Sequence, residues 1–358
     1  RSSAYLNQNA LFDKHHVPID RLINPEQVVT EQITELLSHP GALEVLDFAD
    51  GRAQLVAMRA YLGGPLVGQA LSFLSEHMPS VDTRVAAIFR RGQPIIPSGD
   101  TVIETDDEVF FIAAREHITA VMGELRKAEK PFRRVIIAGG GNIGARLAAA
   151  TEDNYDVRIM ELNPQRAQNL ADQLSSAVVI NGGATDRELL LEENIDQCDA
   201  FCAVTDDDEI NVMSSLMAKR LGVRQVITLI GKTAYVDLVQ GGEIDVAISP
   251  QQATIGTLLS YVRRADVARV HSLRRGAAEA IEAIAHGDRK SSKVVGRRIS
   301  EIKLPPGTTI GAIVRDDKVL IAHDDVIVAS DDHVILFLVD KAQISAVERL
   351  FQVGLAFF

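Results

Sequence analysis

Gly139-Gly140-Gly141-Asn142-Ile143-Gly144 fits the spacing G-x-G-x-x-G, directly after the apolar run Val135–Ala138 and directly before a helical stretch. Each glycine has its own reason to be there if the motif binds a diphosphate. Gly139 permits a tight turn, Gly141 lets a pyrophosphate approach the backbone, and Gly144 lets the helix pack closely on the strand. The free N–H groups and positive dipole end of that helix then hold the anion. Glu161 closes the next apolar run, about 20 residues on, where a carboxylate accepts hydrogen bonds from ribose hydroxyls and repels a 2′-phosphate. The expected ligand is therefore NAD(H), ADP or ATP rather than NADP(H), with Arg166 read as a solvated first-turn residue.

Ala184, in Gly182-Gly183-Ala184-Thr185 after the third strand, stands where the chain usually meets adenine; Thr185 or Asp186 serves equally well there as a helix cap. Thr205, ending the fourth strand, is a candidate for the second half of a dinucleotide. The acids Asp206 to Glu209 are explained by capping and the helix dipole, with a divalent-cation site as the alternative.

Using a bound nicotinamide requires an acid or base beside it and a substrate pocket. Lys232 and Tyr235 follow the fifth strand, but in the opposite order and spacing to a Tyr-x-x-x-Lys pair. No His lies between Gly139 and His271, and the rest of the chain offers no His-Asp or Cys-His arrangement. The residues favour a non-enzymatic sensor; an NAD-dependent oxidoreductase of unknown substrate is the alternative. Cys198 and Cys202, without partners at ligand spacing, read as buried reduced thiols of a reducing compartment.

The elements that position these groups alternate from Arg133 onward. Apolar runs at Val135–Ala138, Val157–Met160, Ala177–Ile180, Ala200–Val204, Val226–Ile230 and Val246–Ile248 are separated by helical segments, the last at Ala234–Val239. Short apolar strands interleaved with helices indicate a Rossmann-type, doubly wound parallel sheet of α/β class. After a connecting helix the pattern shifts to short strands (Thr308–Val314, Val319–Ala322, Val326–Val328, Val334–Val339) and a closing helix, a small α+β module with an antiparallel sheet.

That module occurs twice. Ile19-Asp20 reappears as Ile244-Asp245, and Asp100 to Val109 as Asp325 to Val334, in a single register of 225 residues. Pro25–Leu37 matches the second connecting helix, Ala53–Ile112 the strands and Arg115–Leu125 the closing helix. The expected division is 1–37, remnant of a first Rossmann domain and connecting helix; 38–126, first α+β module; 127–132, linker. It continues with 133–250, Rossmann domain; 251–265, connecting helix; and 266–358, second module. Arg1 to Tyr5 aligns with Gly231 to Tyr235, so the chain is expected to begin where a first nucleotide-binding domain is finishing. That edge is expected to be disordered or paired with another chain.

A net charge of -12 argues against sequence-independent nucleic-acid binding, and no apolar run is long enough to span a bilayer.

A Rossmann unit with Gly139-x-Gly141-x-x-Gly144, an acid at Glu161, Val204-Thr205-Asp206-Asp207 after the fourth strand and Ile248-x-Pro250-Gln251-Gln252 opening the next helix resembles the RCK (KTN) domains. These regulate potassium transport. The tandem resembles the cytoplasmic regulatory subunits of the bacterial Trk potassium-uptake system, over essentially the whole chain. The resemblance implies nucleotide contacts at Gly139 to Gly144, Glu161 and Thr205, with NAD(H) and in this family also ATP or ADP as ligand. It implies a homo-oligomeric ring, dimer or tetramer, peripheral on the cytoplasmic face of the membrane beneath an integral-membrane, potassium-channel-like Trk subunit, whose ion flow it gates. One departure stands out: the family often has Gly-Asp-Ala-Thr where this chain has Gly182-Gly183-Ala184-Thr185.

Overall fold

The computed structural model describes residues 22–352, apart from 127–129, 233–234, 236–238, 240–241, 263–266 and 274–276. Helix α1 (Pro25–Ser38) comes first. The Asn24 side chain caps it by accepting from the Glu26 N–H at 3.0 Å, and Pro25 sits in the first turn, where no N–H is needed. Strands β1 (Ala42–Phe48), β2 (Ala53–Arg59), β3 (Thr83–Arg90), β4 (Gln93–Ile95) and β5 (Glu108–Ala114) form an antiparallel sheet ordered β1-β2-β5-β3-β4. Helices α2 (Ser72–His77) and α3 (Ile118–Met122) complete this module.

The parallel sheet follows. It comprises β6 (Arg134–Ala138), β7 (Asp156–Glu161), β8 (Val178–Asn181), β9 (Ala200–Ala203), β10 (Gln225–Leu229) and β11 (Val246–Ile248). Between them run α4 (Asn142–Thr151), α5 (Pro164–Gln173), α6 (Arg187–Glu192) and α7 (Asp208–Arg220). The spatial order β11-β10-β9-β6-β7-β8 is that of a doubly wound Rossmann sheet. The winding reverses between β6 and β9, so the ligand crevice lies beyond the carboxyl ends of those two strands. Helices cover both faces, which is why β9 and β10 are buried from end to end.

Helix α8 (Pro250–Val262) leads into β12 (Val267–Leu273), β13 (Ala278–Ile284), β14 (Thr308–Arg315), β15 (Lys318–Ile321) and β16 (His333–Leu338), closed by α9 (Ile344–Phe351). This sheet, ordered β12-β13-β16-β14-β15, repeats the first, and β1, β2 and β3 map onto β12, β13 and β14 residue for residue at the 225-residue offset. Even the bulges recur, between Val85 and Ala87 in one copy and between Ile310 and Ala312 in the other. Each copy also buries one aspartate on an arginine. Arg90 Nε donates to Asp107 at 2.9 Å and Arg315 Nε to Asp332 at 2.8 Å, while the Glu104 and Ala329 N–H groups donate to the same carboxylates.

The two antiparallel sheets pack face to face within the chain. Phe48, Leu55, Phe110 and Ile112 of the first meet Leu273, Ala280, Ile335 and Phe337 of the second. A Cβ on Gly311 would stand 2.3 Å from the Phe337 ring, so this bulge position admits only glycine at the existing spacing. Polar contacts edge the interface: His323 with Asp82 at 2.9 Å, Arg269 with Asp50 at 3.1 Å, and the Ala49 N–H on Glu282 at 3.0 Å. Helix α1 lies against both α4 and α8, burying Val29, Ile33, Leu36 and Leu37.

Three sequence expectations change. Val326–Val328 is not a strand; Ile327 makes only an isolated bridge to Arg298. Strands β12 and β13 occupy a stretch that carried no strand signal, and β1 lies outside the expected Ala53–Ile112 region. Residues 1–21, much of the linker and most of the expected Ala234–Val239 helix lie outside the described residues.

Candidate functional site

The turn after β6 is built by crowding. Gly139 has φ +113, and a Cβ there would lie 2.8 Å from the Thr205 nitrogen at the end of β9. At Gly140 a Cβ would meet Leu170 at 2.5 Å and the Glu161 carboxylate at 2.8 Å, and at Gly144 it would come within 1.8 Å of the Gly139 carbonyl. Gly141 differs. It caps α4 with φ -70, and among the described residues nothing lies within 4 Å of its absent side chain. Three glycines are thus demanded by protein neighbours and the fourth leaves space.

Glu161, at the end of β7, is 6% exposed. Its carboxylate accepts from the Gly140 N–H at 3.0 Å and the Asn163 N–H at 2.7 Å, tying the glycine turn to the second strand. Arg166 reaches to 3.6 Å from it but is otherwise exposed. Ile143 packs into the core behind the turn, and Ala184 is buried beside Met160 and Ile180 at the end of β8. Asn142, the first residue of α4, donates its amide to Glu26 Oε1 on α1 at 2.8 Å.

Thr205 is pinned by Asn211, a fully buried residue that the sequence reading passed over. Asn211 Oδ1 accepts from the Thr205 N–H at 2.9 Å and its hydroxyl at 2.7 Å, while Nδ2 donates to the Thr205 and Leu229 carbonyls, both at 3.0 Å. One side chain therefore fixes the ends of β9 and β10. The only sequence signal was an asparagine one turn into a helix that opens with acids.

Those acids are mostly occupied. Asp207 caps α7 on the Ile210 N–H at 2.9 Å, and Asp208 accepts from Gly231 and Lys232 N–H, each at 2.8 Å. Glu209 accepts from Lys232 Nζ at 2.8 Å and the Tyr235 hydroxyl at 2.9 Å. The Lys232 contact drives the Glu209 carboxyl down to about 2, and Glu209 in turn raises the Lys232 pKa. A lysine held protonated in this way is poorly suited to accept a proton. Among the described residues no group of three or more His, Cys, Asp or Glu side chains is arranged to hold a metal ion, and none of their helices is long and apolar enough to cross a membrane. Cys198 and Cys202 are free and buried, and burial pushes the Cys198 thiol up to about 12.

A separate cleft of about 760 Å³ runs between α1, β1, β11, α8 and β12, lined by Glu35, Asp47, Ser249 and His271 among others, and shares no residue with the glycine turn.

Comparison with known proteins agrees with this architecture. Residues 135–250 match the TrkA-N domain, and residues 55–126 and 289–352 each match the TrkA-C domain. The chain is 66% identical over 358 residues to the Trk system potassium uptake protein TrkA of Halomonas elongata, covering 100% of this chain and 78% of that one. Its counterpart in Vibrio alginolyticus is 61% identical over 353 residues, 98% of this chain and 77% of the relative. The solved GsuK RCK domain aligns with TM-score 0.51 at 18% identity, over 94% of this chain and 71% of that one. The GsuK channel bound to NAD aligns at TM-score 0.51 and 17% identity, over 98% and 61%. Those two likenesses concern the fold; the sequence matches, in the order TrkA-C, TrkA-N, TrkA-C, carry the assignment. The chain belongs to the TrkA family of Trk system potassium uptake proteins.

Proposed function

We propose that the chain is a nucleotide-sensing regulatory subunit that binds NAD(H) at Gly139–Gly144, Glu161, Ala184 and Thr205 and gates a membrane potassium-uptake transporter. The observation that carries this reading is the open space at Gly141. A glycine crowded by its own protein is explained by packing; one facing nothing, at a helix N-terminus, is explained by a ligand whose phosphates approach the backbone. In support, the Glu161 carboxylate is tied to the glycine turn through the Gly140 N–H, and a solved structure of similar fold is a channel bound to NAD. ADP and ATP share the same ribose and phosphate chemistry. On this reading residues 133–250 sense the nucleotide, and the modules at 38–126 and 266–358 relay its state within a homo-oligomeric ring. The ring works against an integral-membrane Trk subunit on the cytoplasmic face.

Such a sensor works only if the ligand binds two ring shapes with different affinity. The chain's own residues then do two things: the α4 N–H groups hold phosphate, and Glu161 orients the ribose.

Calorimetric titration with NADH tests the site. Wild-type protein should bind, and Glu161→Ala should weaken binding about tenfold or more while the domain stays folded, less about 1–3 kcal/mol for the orphaned Gly140 N–H. Equal affinities would remove Glu161 from the site. Gating is tested by potassium flux into vesicles carrying the membrane subunit and this chain; flux indifferent to NADH and ATP would overturn it.

A further inference from the structure

Helix α1 belongs to the first repeat, yet its first turn lies on the glycine turn of the second. Glu26 Oε1 accepts from the Asn142 amide at 2.8 Å, and Glu26 Oε2 stands 3.9 Å from Arg146 Nε. Asn142 is the fourth residue of the glycine motif and the first of α4. The carboxylate therefore sits beside the helix end at which the nucleotide phosphates are to be held. It is also held there: Asn24 caps its turn, and α1 packs along α4. Arg146 stands at ion-pair distance, and because Coulomb terms add, the Glu26 carboxylate still sets how much positive charge that helix end presents. At the matching position of the second repeat, 225 residues on, stands the uncharged Gln251.

We propose that Glu26 is a specificity-determining residue of the nucleotide site, contributed by the other repeat. Its fixed negative charge penalises ligands according to their phosphate charge, and so favours a dinucleotide over a nucleoside triphosphate. This rests on nucleotide binding by Gly139–Gly144. A dinucleotide brings about two negative charges and ATP about four, and Coulomb repulsion scales with that number; at surface dielectric and a separation of about 8 Å each unit is worth roughly two- to fivefold in affinity.

The test is titration of wild type and Glu26→Gln with NADH, ADP and ATP, at low salt and with EDTA so that no divalent ion neutralises the phosphates. Glu26→Gln places at this position the residue the second repeat already carries. Expected is a gain of about fourfold or more for NADH and about fifteenfold or more for ATP, shrinking as salt is raised. Glu26→Asp, which keeps the charge, should keep the wild-type ranking. No gain, or the same gain for all three ligands, overturns the proposal, the latter by tracing the effect to the altered Asn142 and Arg146 contacts. If neither protein binds any of the three, the nucleotide-binding reading falls and takes this one with it.

Discussion

At Gly144 a methyl group would sit 1.8 Å from the Gly139 carbonyl oxygen, whereas at Gly141 it would meet none of the described residues within 4 Å. Two alanine substitutions three residues apart should therefore behave in opposite ways. Gly144→Ala forces α4 off the turn and should cost about 1–3 kcal/mol of stability. Gly141→Ala, at a φ open to any residue, should leave the melting temperature unchanged or slightly raised, since alanine narrows the unfolded ensemble. Its effect should appear in NADH titration, as a loss of about tenfold from a methyl standing in the phosphate's place. Wild-type affinity in Gly141→Ala would show that no ligand uses that space. The spacing made these glycines legible, because each has a local backbone requirement. Asn211 and Glu26 were not legible: one acts by bridging two strand ends, the other across 116 positions of sequence.

Among the elements, the parallel strands were readable because burial on both faces leaves an uninterrupted apolar run. Ala278 to Ile284 was not, since alanine with two glutamates suggests a helix. Its glutamates are nonetheless buried, Glu282 by accepting from the Ala49 N–H and meeting His333 Nδ1 at 2.5 Å. Tertiary partners override propensity here. Val326–Val328 failed in the other direction, an apolar stretch whose backbone bonds go to a turn. The twin Asp–Arg clamps yield a prediction at this scale. Asp332 is 0% and Asp107 1% exposed, so Asp332→Ala and Asp107→Ala should each remove a partner from a part-exposed arginine and leave a backbone N–H unmet. A loss of about 1–3 kcal/mol is expected from each, read by chemical denaturation. Losses below about 1 kcal/mol would show that water replaces the carboxylate.

Across the whole molecule, the joint between the two sheets carries its own pH dependence. His271 on β12 lies edge-on to Phe48 at 5.1 Å, and its buried Nε2 has no hydrogen-bond partner among the described residues. Burial, with Arg269 nearby, lowers its pKa from 6.5 to about 4. Between those values the unfolded chain takes up a proton that the folded chain refuses, so the stabilisation is whole above about pH 6.5 and is lost as pH falls toward 4. About 3 kcal/mol is at stake, and His271→Phe should flatten that acid limb in denaturation midpoints measured from pH 7 to 4. An unchanged limb would assign the acid sensitivity elsewhere. The apposed sheets have one more consequence. Because a single polypeptide carries both, their meeting does not weaken on dilution: the tether supplies each face with its mate at an effective concentration in roughly the millimolar range, and a free copy competes poorly. Tethering also releases the halves from identity. In a pair of separate identical chains every substitution appears twice, whereas here one arm bears Glu26 and the other Gln251, and the two can go on diverging.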